Sequence, residues 1–272
     1  MEIVAELGAS HNRDYQTALD LVFAAQEAGA DSIKVQMFTP DQMTANDGSV
    51  IKGGAWSGSN LYNLYENAAM PLEFVPKLKK LAEKLDMGFI ASVYHPDMVP
   101  IAEEMGIERY KISSFEITWL NLIKAVAITK KPVIMSVGMA EHKEITDAVN
   151  VAKKYCKDLT LLWCVNDYPA DAEKMNLKSI VGLKRFKCKS GLSDHSLGYL
   201  APVVAMSLGA TMLEKHIQIE GGLDEGFALN PLQFGNMVKI VREAENSIGG
   251  IRYGGKKKFR RREVEGKWIR TC

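Results

Sequence analysis

The chain alternates eight times between a short apolar, β-branched run and a segment with helical periodicity, and this repetition limits its fold more than any other feature. The strand-like runs fall at 3–7, 32–37, 88–92, 109–113, 132–137, 159–164, 188–192 and 210–214. Such runs suit parallel strands buried on both faces. Helix-period segments follow near 15–29, 71–86, 97–105, 119–129, 142–156, 173–184, 198–208 and 231–248. In the first of these, Ala18, Leu21, Val22, Ala25 and Ala28 recur at helical spacing, and Gly29 stops the helix. Gly106, Gly209 and Gly249 punctuate other helix ends in the same way. Eight such units with no domain-like break predict an α/β fold, a single-domain (β/α)8 TIM barrel over 1–250, in preference to a doubly wound sheet. One long excursion, 38–70, follows the second strand and is rich in Gly, Ser and Asn. Connections after barrel strands line the catalytic face, so this segment is expected to be a lid.

Composition narrows the function classes. The chain is 47% hydrophobic and 25% charged, ordinary for a soluble globular protein. No apolar run approaches the roughly 20 residues of a membrane span, and Met1 leads at once into Glu2-Ile-Val-Ala-Glu6, so neither membrane nor leader is expected. Cys156, Cys164, Cys188 and Cys272 have no CxxC spacing, which favours reduced thiols and a cytoplasmic location. Residues 256–272 carry eight Lys/Arg against two Glu, so the net charge of +1 combines a basic C-terminal tail (251–272) with a mildly acidic body. A nucleic-acid partner is not expected, because its basic residues should spread over a folded face.

Polar residues at the strand ends converge in a barrel despite wide sequence separation. In chain order they are Glu6, Lys34 and Gln36, Ser92, Lys111 with Ser114 and Glu116, Ser136, Asn166 with Tyr168, Ser193-Asp-His195 and Glu214-Lys-His216. Lys34 and Lys111 each interrupt an apolar strand, which is costly unless an anion or carboxylate meets the ammonium. Two such lysines with several hydroxyls describe a phosphate- or carboxylate-binding pocket. A purely structural pair, Lys34 with Glu6, is the alternative for that lysine, and Glu214 could simply neutralise Lys215. His195 and His216 close two consecutive strand-like units, so they are expected side by side, with Asp194 and Glu214 beside them as a divalent-metal site.

These residues resemble the barrel domain of the sialic acid synthase family. The likeness runs through Ala5-Glu-Leu-Gly-Ala-Ser-His-Asn12, Gly29-Ala-Asp-Ser-Ile-Lys-Val-Gln36, Tyr110-Lys-Ile-Ser-Ser114 with Glu116-Ile-Thr118, and Lys131-Pro-Val-Ile-Met-Ser-Val-Gly-Met139. It continues through Cys164 to Pro169, Gly191-Leu-Ser-Asp-His-Ser-Leu-Gly198, Gly209-Ala-Thr-Met-Leu-Glu-Lys-His216 and Asn230-Pro231, covering nearly the whole chain in order. The resemblance implies condensation of phosphoenolpyruvate with an N-acetylated aldose, such as N-acetylmannosamine, to a nonulosonic acid and phosphate. It assigns Lys34, Ser92, Lys111, Ser114, Ser136, Asn166 and Ser193 to phosphoenolpyruvate, and His195 and His216 to Mn2+ or Mg2+. Glu6, Gln36, Glu116, Tyr168, Glu214 and Asp224 would face the sugar, with Glu6, Lys34, Lys111 and Glu214 in the chemistry. A homodimer is implied as well.

The chain also departs from that pattern. Phe115 stands where the family has Gly, Val137 where it has Thr, and Trp163 and Val165 where it has His and Thr. Ala91-Ser-Val-Tyr-His95 replaces Ser-Thr-Pro-Phe-Asp, and Arg13 replaces Gly. The family's C-terminal antifreeze-like domain, which covers the partner's site and lends it an arginine, would begin about where this chain ends. These changes are expected near the sugar pocket and its lid, with Arg13 or the tail standing in for the arginine and a separately encoded lid as a further partner. Two other readings compete: a scaffold barrel that binds a phosphometabolite without turnover, and an aldolase using Lys34 or Lys111 as a Schiff base.

Overall fold

The computed structural model describes residues 1–219 and 221–249; the expected basic tail lies outside the described residues. The eight expected strands are present and pair in parallel in chain order: β1 (Glu2–Glu6), β2 (Ser32–Met37), β3 (Gly88–Val93), β4 (Tyr110–Ile112), β5 (Val133–Ser136), β6 (Leu159–Trp163), β7 (Lys189–Asp194) and β8 (Met212–His216). β8 pairs back onto β1, with Glu6 opposite His216, and closes the barrel. The helices between strands are α1 (Tyr15–Glu27), α2 (Pro40–Met43), α3 (Leu61–Ala68), α4 (Val75–Lys84), α5 (Met98–Glu104), α6 (Leu120–Ile128), α7 (His142–Lys153), α8 (Ser179–Leu183), α9 (Leu200–Ser207) and α10 (Pro231–Ile248). Among the described residues no helix is long and apolar enough to cross a membrane.

Side-chain alternation sorts the strand residues into two environments. Val4, Ile90, Ile134, Leu162 and Met212 meet inside the barrel as a small apolar plug. Two residues further along each of those strands, the same inward parity falls on Glu6, Ser92, Ser136, Cys164 and Glu214. The plug therefore forms the floor on which a polar layer rests. Gly191 of β7 has no room for a side chain at plug level: a Cβ there would lie 2.2 Å from the Met212 carbonyl oxygen and 2.8 Å from Leu162. Residues of opposite parity, such as Ile33, Val35, Leu161 and Leu213, join the larger core between the strands and the helices.

Three sequence expectations need correction. β8 was expected at 210–214 but runs to His216, so that histidine is part of the strand. The helix expected at 173–184 is broken: α8 is only five residues and lies between single 3-10 turns at Ala172–Lys174 and Lys184–Phe186. Asn176 takes a left-handed conformation there (φ 44), which interrupts the helical path. The excursion 38–70 carries two helices that no apolar periodicity announced. Gln42 accepts the Thr39 amide at 3.1 Å to start α2, and Asn60 accepts the Asn63 amide at 2.9 Å to start α3.

Candidate active site

A cavity of about 1000 Å³ opens at the C-terminal ends of the strands. Its floor is a charged cluster that is almost fully buried. Lys34 Nζ pairs with Glu6, donates to Ser92 Oγ at 2.9 Å, and lies 3.6 Å from Glu214 Oε1. Lys111 Nζ lies 3.1 Å from both oxygens of Glu214, which also accepts from Ser193 Oγ at 3.0 Å. Glu6 accepts the Gly8 amide at 2.7 Å and Gln36 Nε2 at 3.1 Å, so its carboxylate is fixed beneath Lys34.

The electrostatics follow from this arrangement. Burial alone would raise Glu214, but Lys111 and Lys34 outweigh it and hold the carboxyl below its ordinary value of 4.5. Burial opposes the charge on Lys34 too, yet Glu214 and Glu6 raise it above the ordinary lysine value. Lys111 moves the other way, because burial and the nearby Lys34 exceed what Glu214 returns. Ser136 Oγ is buried on the same floor without a hydrogen-bond partner among the described residues. Beside it, Asn166 Nδ2 donates to Ser114 Oγ at 3.2 Å, and that hydroxyl oxygen also accepts the Met139 amide at 3.1 Å. Two ammonium groups and several hydroxyls thus converge where an anion can enter.

His195 and His216 stand beside this floor with ring centroids 5.8 Å apart. His195 Nδ1 is 2.7 Å from the Val165 carbonyl, and His216 Nδ1 is 2.9 Å from Asp224 Oδ2. Both partners accept, so each ring carries a proton on Nδ1, and the neutral tautomer that this contact selects is the one with its lone pair on Nε2. Neither Nε2 has a protein partner among the described residues, and both rings line the cavity. Burial, followed by the neighbouring His216, pushes His195 down to about 3, so it is neutral at physiological pH. Among the described residues no group of three or more His, Cys, Asp and Glu is arranged to hold a metal.

Strand alternation removes Asp194, but not Glu214, from the expected metal neighbours. Asp194 points behind the sheet, where it pairs with Lys215 Nζ at 2.6 Å and accepts Ser196 N at 2.9 Å and Ser196 Oγ at 2.7 Å. Glu214 faces inward on Lys111 instead of neutralising Lys215. The Lys34–Glu6 pair does form, yet within the same cluster as Lys111 and Glu214.

The other expected residues are placed as follows. Gln36, Ser114, Glu116, Ser136, Asn166, Tyr168, Ser193 and Asp224 border the cavity together with Lys34, Lys111, Glu214 and both histidines. Glu6 and Ser92 do not border it themselves; Ser92 reaches it through Lys34, and Glu6 through Lys34 and Gln36. Glu116 accepts from Ser113 Oγ, and burial keeps its carboxyl above the ordinary value. Of the departures from the family pattern, Phe115 and Tyr94 border the cavity, whereas Val137, Trp163 and Arg13 do not. Arg13 donates to the backbone carbonyls of Glu66 and Ala69 and so anchors the end of α3; it offers no cation to the site.

Sequence reasoning missed the roof. Trp56, from the long excursion, donates its indole N–H to the Leu223 carbonyl at 3.0 Å and packs on Tyr168 and Phe227. Tyr168 in turn lies 4.3 Å from His195, and Phe227 4.9 Å from His216, between ring centroids. The excursion is thus a lid in the sense that it closes one side of the cavity. A lone Trp in Gly53-Gly-Ala-Trp-Ser-Gly58 has no periodic partner, so only its type in a Gly-rich loop could have marked it.

A closed parallel barrel whose catalytic face buries two lysines, two glutamates and two backed histidines defines a barrel enzyme for an anionic substrate. Comparison with known proteins agrees. Residues 21–253 match the model of the NeuB family. The pseudaminic acid synthase of Helicobacter pylori is 41% identical over 256 residues, 91% of this chain and 75% of that protein. The N,N'-diacetyllegionaminic acid synthase of Legionella pneumophila is 33% identical over 91% of this chain and 73% of its own length. The crystal structure of N-acetylneuraminic acid (sialic acid) synthetase from Leptospira borgpetersenii, in complex with citrate, superposes with a TM-score of 0.84 at 28% identity, covering 99% of this chain and 90% of that one. The chain belongs to the NeuB family, and its likeness to these synthases over most of their length makes it an enzyme of that kind.

Proposed function

We propose that this chain joins phosphoenolpyruvate to the open-chain aldehyde of an N-acetylated aldose, N-acetylmannosamine or a related amino sugar, giving a nonulosonic acid and phosphate. The observation that carries the reading is the floor: Lys34 and Lys111 flank Glu214 beside the unpartnered Ser136 hydroxyl, under two histidines with free Nε2 atoms. The phosphate and carboxylate of phosphoenolpyruvate need such cations and donors, and Ser114, Asn166 and Ser193 add hydrogen bonds on the same face.

The donor set of two imidazoles, each backed by a hydrogen-bond acceptor, fits a divalent ion completed by water and substrate. Nitrogen donors favour Mn2+ over Mg2+, which prefers oxygen. When bound, such an ion supplies a Lewis acid for the acceptor aldehyde. The chain's own residues do the rest. Lys34 and Lys111 hold phosphoenolpyruvate while its C3 forms a bond to the aldehyde carbon, whose oxygen takes a proton. Glu214, at the edge of the cavity, offsets the positive charge developing at C2 and orients the water that adds there. Glu6 keeps Lys34 in place. The tetrahedral intermediate then breaks its C2–O bond, phosphate leaves with the bridging oxygen, and a 2-keto acid remains. Trp56, Tyr168 and Phe227 keep bulk water from the histidine side.

The higher identity to a pseudaminic acid synthase than to a legionaminic acid synthase supports putting the pseudaminic acid precursor first among acceptors. Phe115, Met139 and Leu197 are 60%, 56% and 63% exposed on the connections after β4, β5 and β7, and Leu200 is 71% exposed at the start of α9. These apolar side chains fit a further domain or subunit lying over the mouth of the barrel.

The test is phosphate release from phosphoenolpyruvate with Mn2+, a panel of amino-aldoses and a chelator control. Chelator-sensitive release that depends on one sugar is expected. Binding of phosphoenolpyruvate without release for any sugar would transfer the reading to a scaffold barrel. Borohydride trapping of pyruvate on Lys111, the lysine whose charge is disfavoured, would transfer it to an aldolase.

A further inference from the structure

The two histidines are not held alike. His195 leans on a neutral backbone carbonyl, whereas His216 leans on a carboxylate that is 4% exposed. Asp224 comes from the connection after β8, and the same Oδ2 that meets His216 at 2.9 Å accepts the Ala9 amide at 3.1 Å. The turn after β1 is shaped around that oxygen. Gly8 takes a left-handed conformation (φ 48), and a Cβ there would fall 1.9 Å from Asp224 Oδ2 and 2.8 Å from His216 Nδ1. Any side chain at position 8 would push the carboxylate and the imidazole apart. Phe227 closes the remaining side of the pair, 4.9 Å from the His216 ring.

We propose that Asp224 is a positioning residue for His216: it holds the ring with its proton on Nδ1 and its Nε2 lone pair available on the cavity side. The residue resemblance places Asp224 against the sugar, but Oδ2 is committed to His216 and Ala9. A carboxylate backing also makes the far nitrogen a stronger donor than a carbonyl backing does, so His216 is the stronger of the two ligands. Gly8 is part of the same device, since its missing side chain is what lets the turn after β1, the end of β8 and Asp224 meet. This inference rests on the metal reading above, and its test separates the two.

Mn2+ affinity is read by electron paramagnetic resonance on the full chain, and histidine tautomers by long-range 1H–15N spectra without metal. The wild type is expected to show His216 protonated on Nδ1. Asp224→Ala is expected to mix the tautomers and weaken Mn2+ binding about 10- to 100-fold. Asp224→Asn, whose amide oxygen can still accept from Nδ1, is expected to keep the tautomer and lose less affinity. A wild-type His216 protonated on Nε2 overturns the proposal even if no variant folds. Unchanged Mn2+ affinity in Asp224→Ala with a raised acceptor KM also overturns it and returns Asp224 to the sugar. Failure of the wild type to bind Mn2+ refutes the metal reading, while the tautomer spectra still judge the positioning claim.

Discussion

Glu214 and Lys215 are neighbours in the chain and belong to opposite faces of β8. Glu214 points into the barrel, bridges Lys111 and Lys34, and borders a cavity of about 1000 Å³. Lys215 points out between strand and helices, is fully buried, and pairs with Asp194 beneath the Ser196 loop. The ingredients are the same, a lysine and a carboxylate about 3 Å apart in a dry environment. What differs is whether a void adjoins them. The inner cluster can exchange a partner for an incoming anion; the outer pair can only hold the sheet to its loop. A buried ion pair therefore says nothing about function until the face it occupies is known.

Substitutions on the two faces should separate these roles. Lys111→Met should lower kcat/KM for phosphoenolpyruvate about 100- to 1000-fold, as loss of a preorganised charge donor does. Its melting should change little, because Glu214 keeps Lys34 at 3.6 Å and Ser193 at 3.0 Å. Lys215→Met should do the reverse. It strands Asp194 with only its Ser196 hydrogen bonds, so urea unfolding should show a loss of about 3 kcal/mol, with near-normal turnover by the folded fraction. Equal activity losses in both variants would erase the distinction.

Smaller effects sharpen it. Trp56→Ala removes two aromatic contacts from the roof and leaves the floor intact, so the acceptor KM should rise about tenfold while that for phosphoenolpyruvate holds. The pH dependence gives the smallest effect. Glu214 has a folded value below its ordinary 4.5, so the unfolded chain binds more protons in that range. Its contribution is complete above 4.5 and is lost as pH falls below it. Stability measured at pH 6 and pH 4 should therefore drop less in Glu214→Gln than in wild type, by just under about 1 kcal/mol.

Much of this was legible in the sequence, for physical reasons. Parallel strands buried on both faces are continuous apolar runs, so a lysine within one, as at 34 and 111, is conspicuous. The barrel order then brought the strand-end polar residues together without any need to know contacts. Parity was not read: ending β8 two residues early hid the fact that Glu214 and His216 share a face while Lys215 and Asp194 share the other. The roof was hidden for a different reason. Trp56 and Phe227 lie on irregular connections, where no period marks a buried side chain, and the partners of Trp56 are more than a hundred residues away. The departures from the family pattern were also scattered by the fold, since Phe115 reaches the cavity but Arg13 serves α3.

The most direct measurement is a crystal structure with phosphoenolpyruvate and Mn2+ soaked into the full chain. The phosphate and carboxylate should lie against Lys34 and Lys111 with a hydrogen bond from Ser136, and the metal on the Nε2 atoms of His195 and His216. Ligand density anywhere else, with the two lysines still paired only to Glu6 and Glu214, would contradict the assignment of the inner cluster as the substrate site.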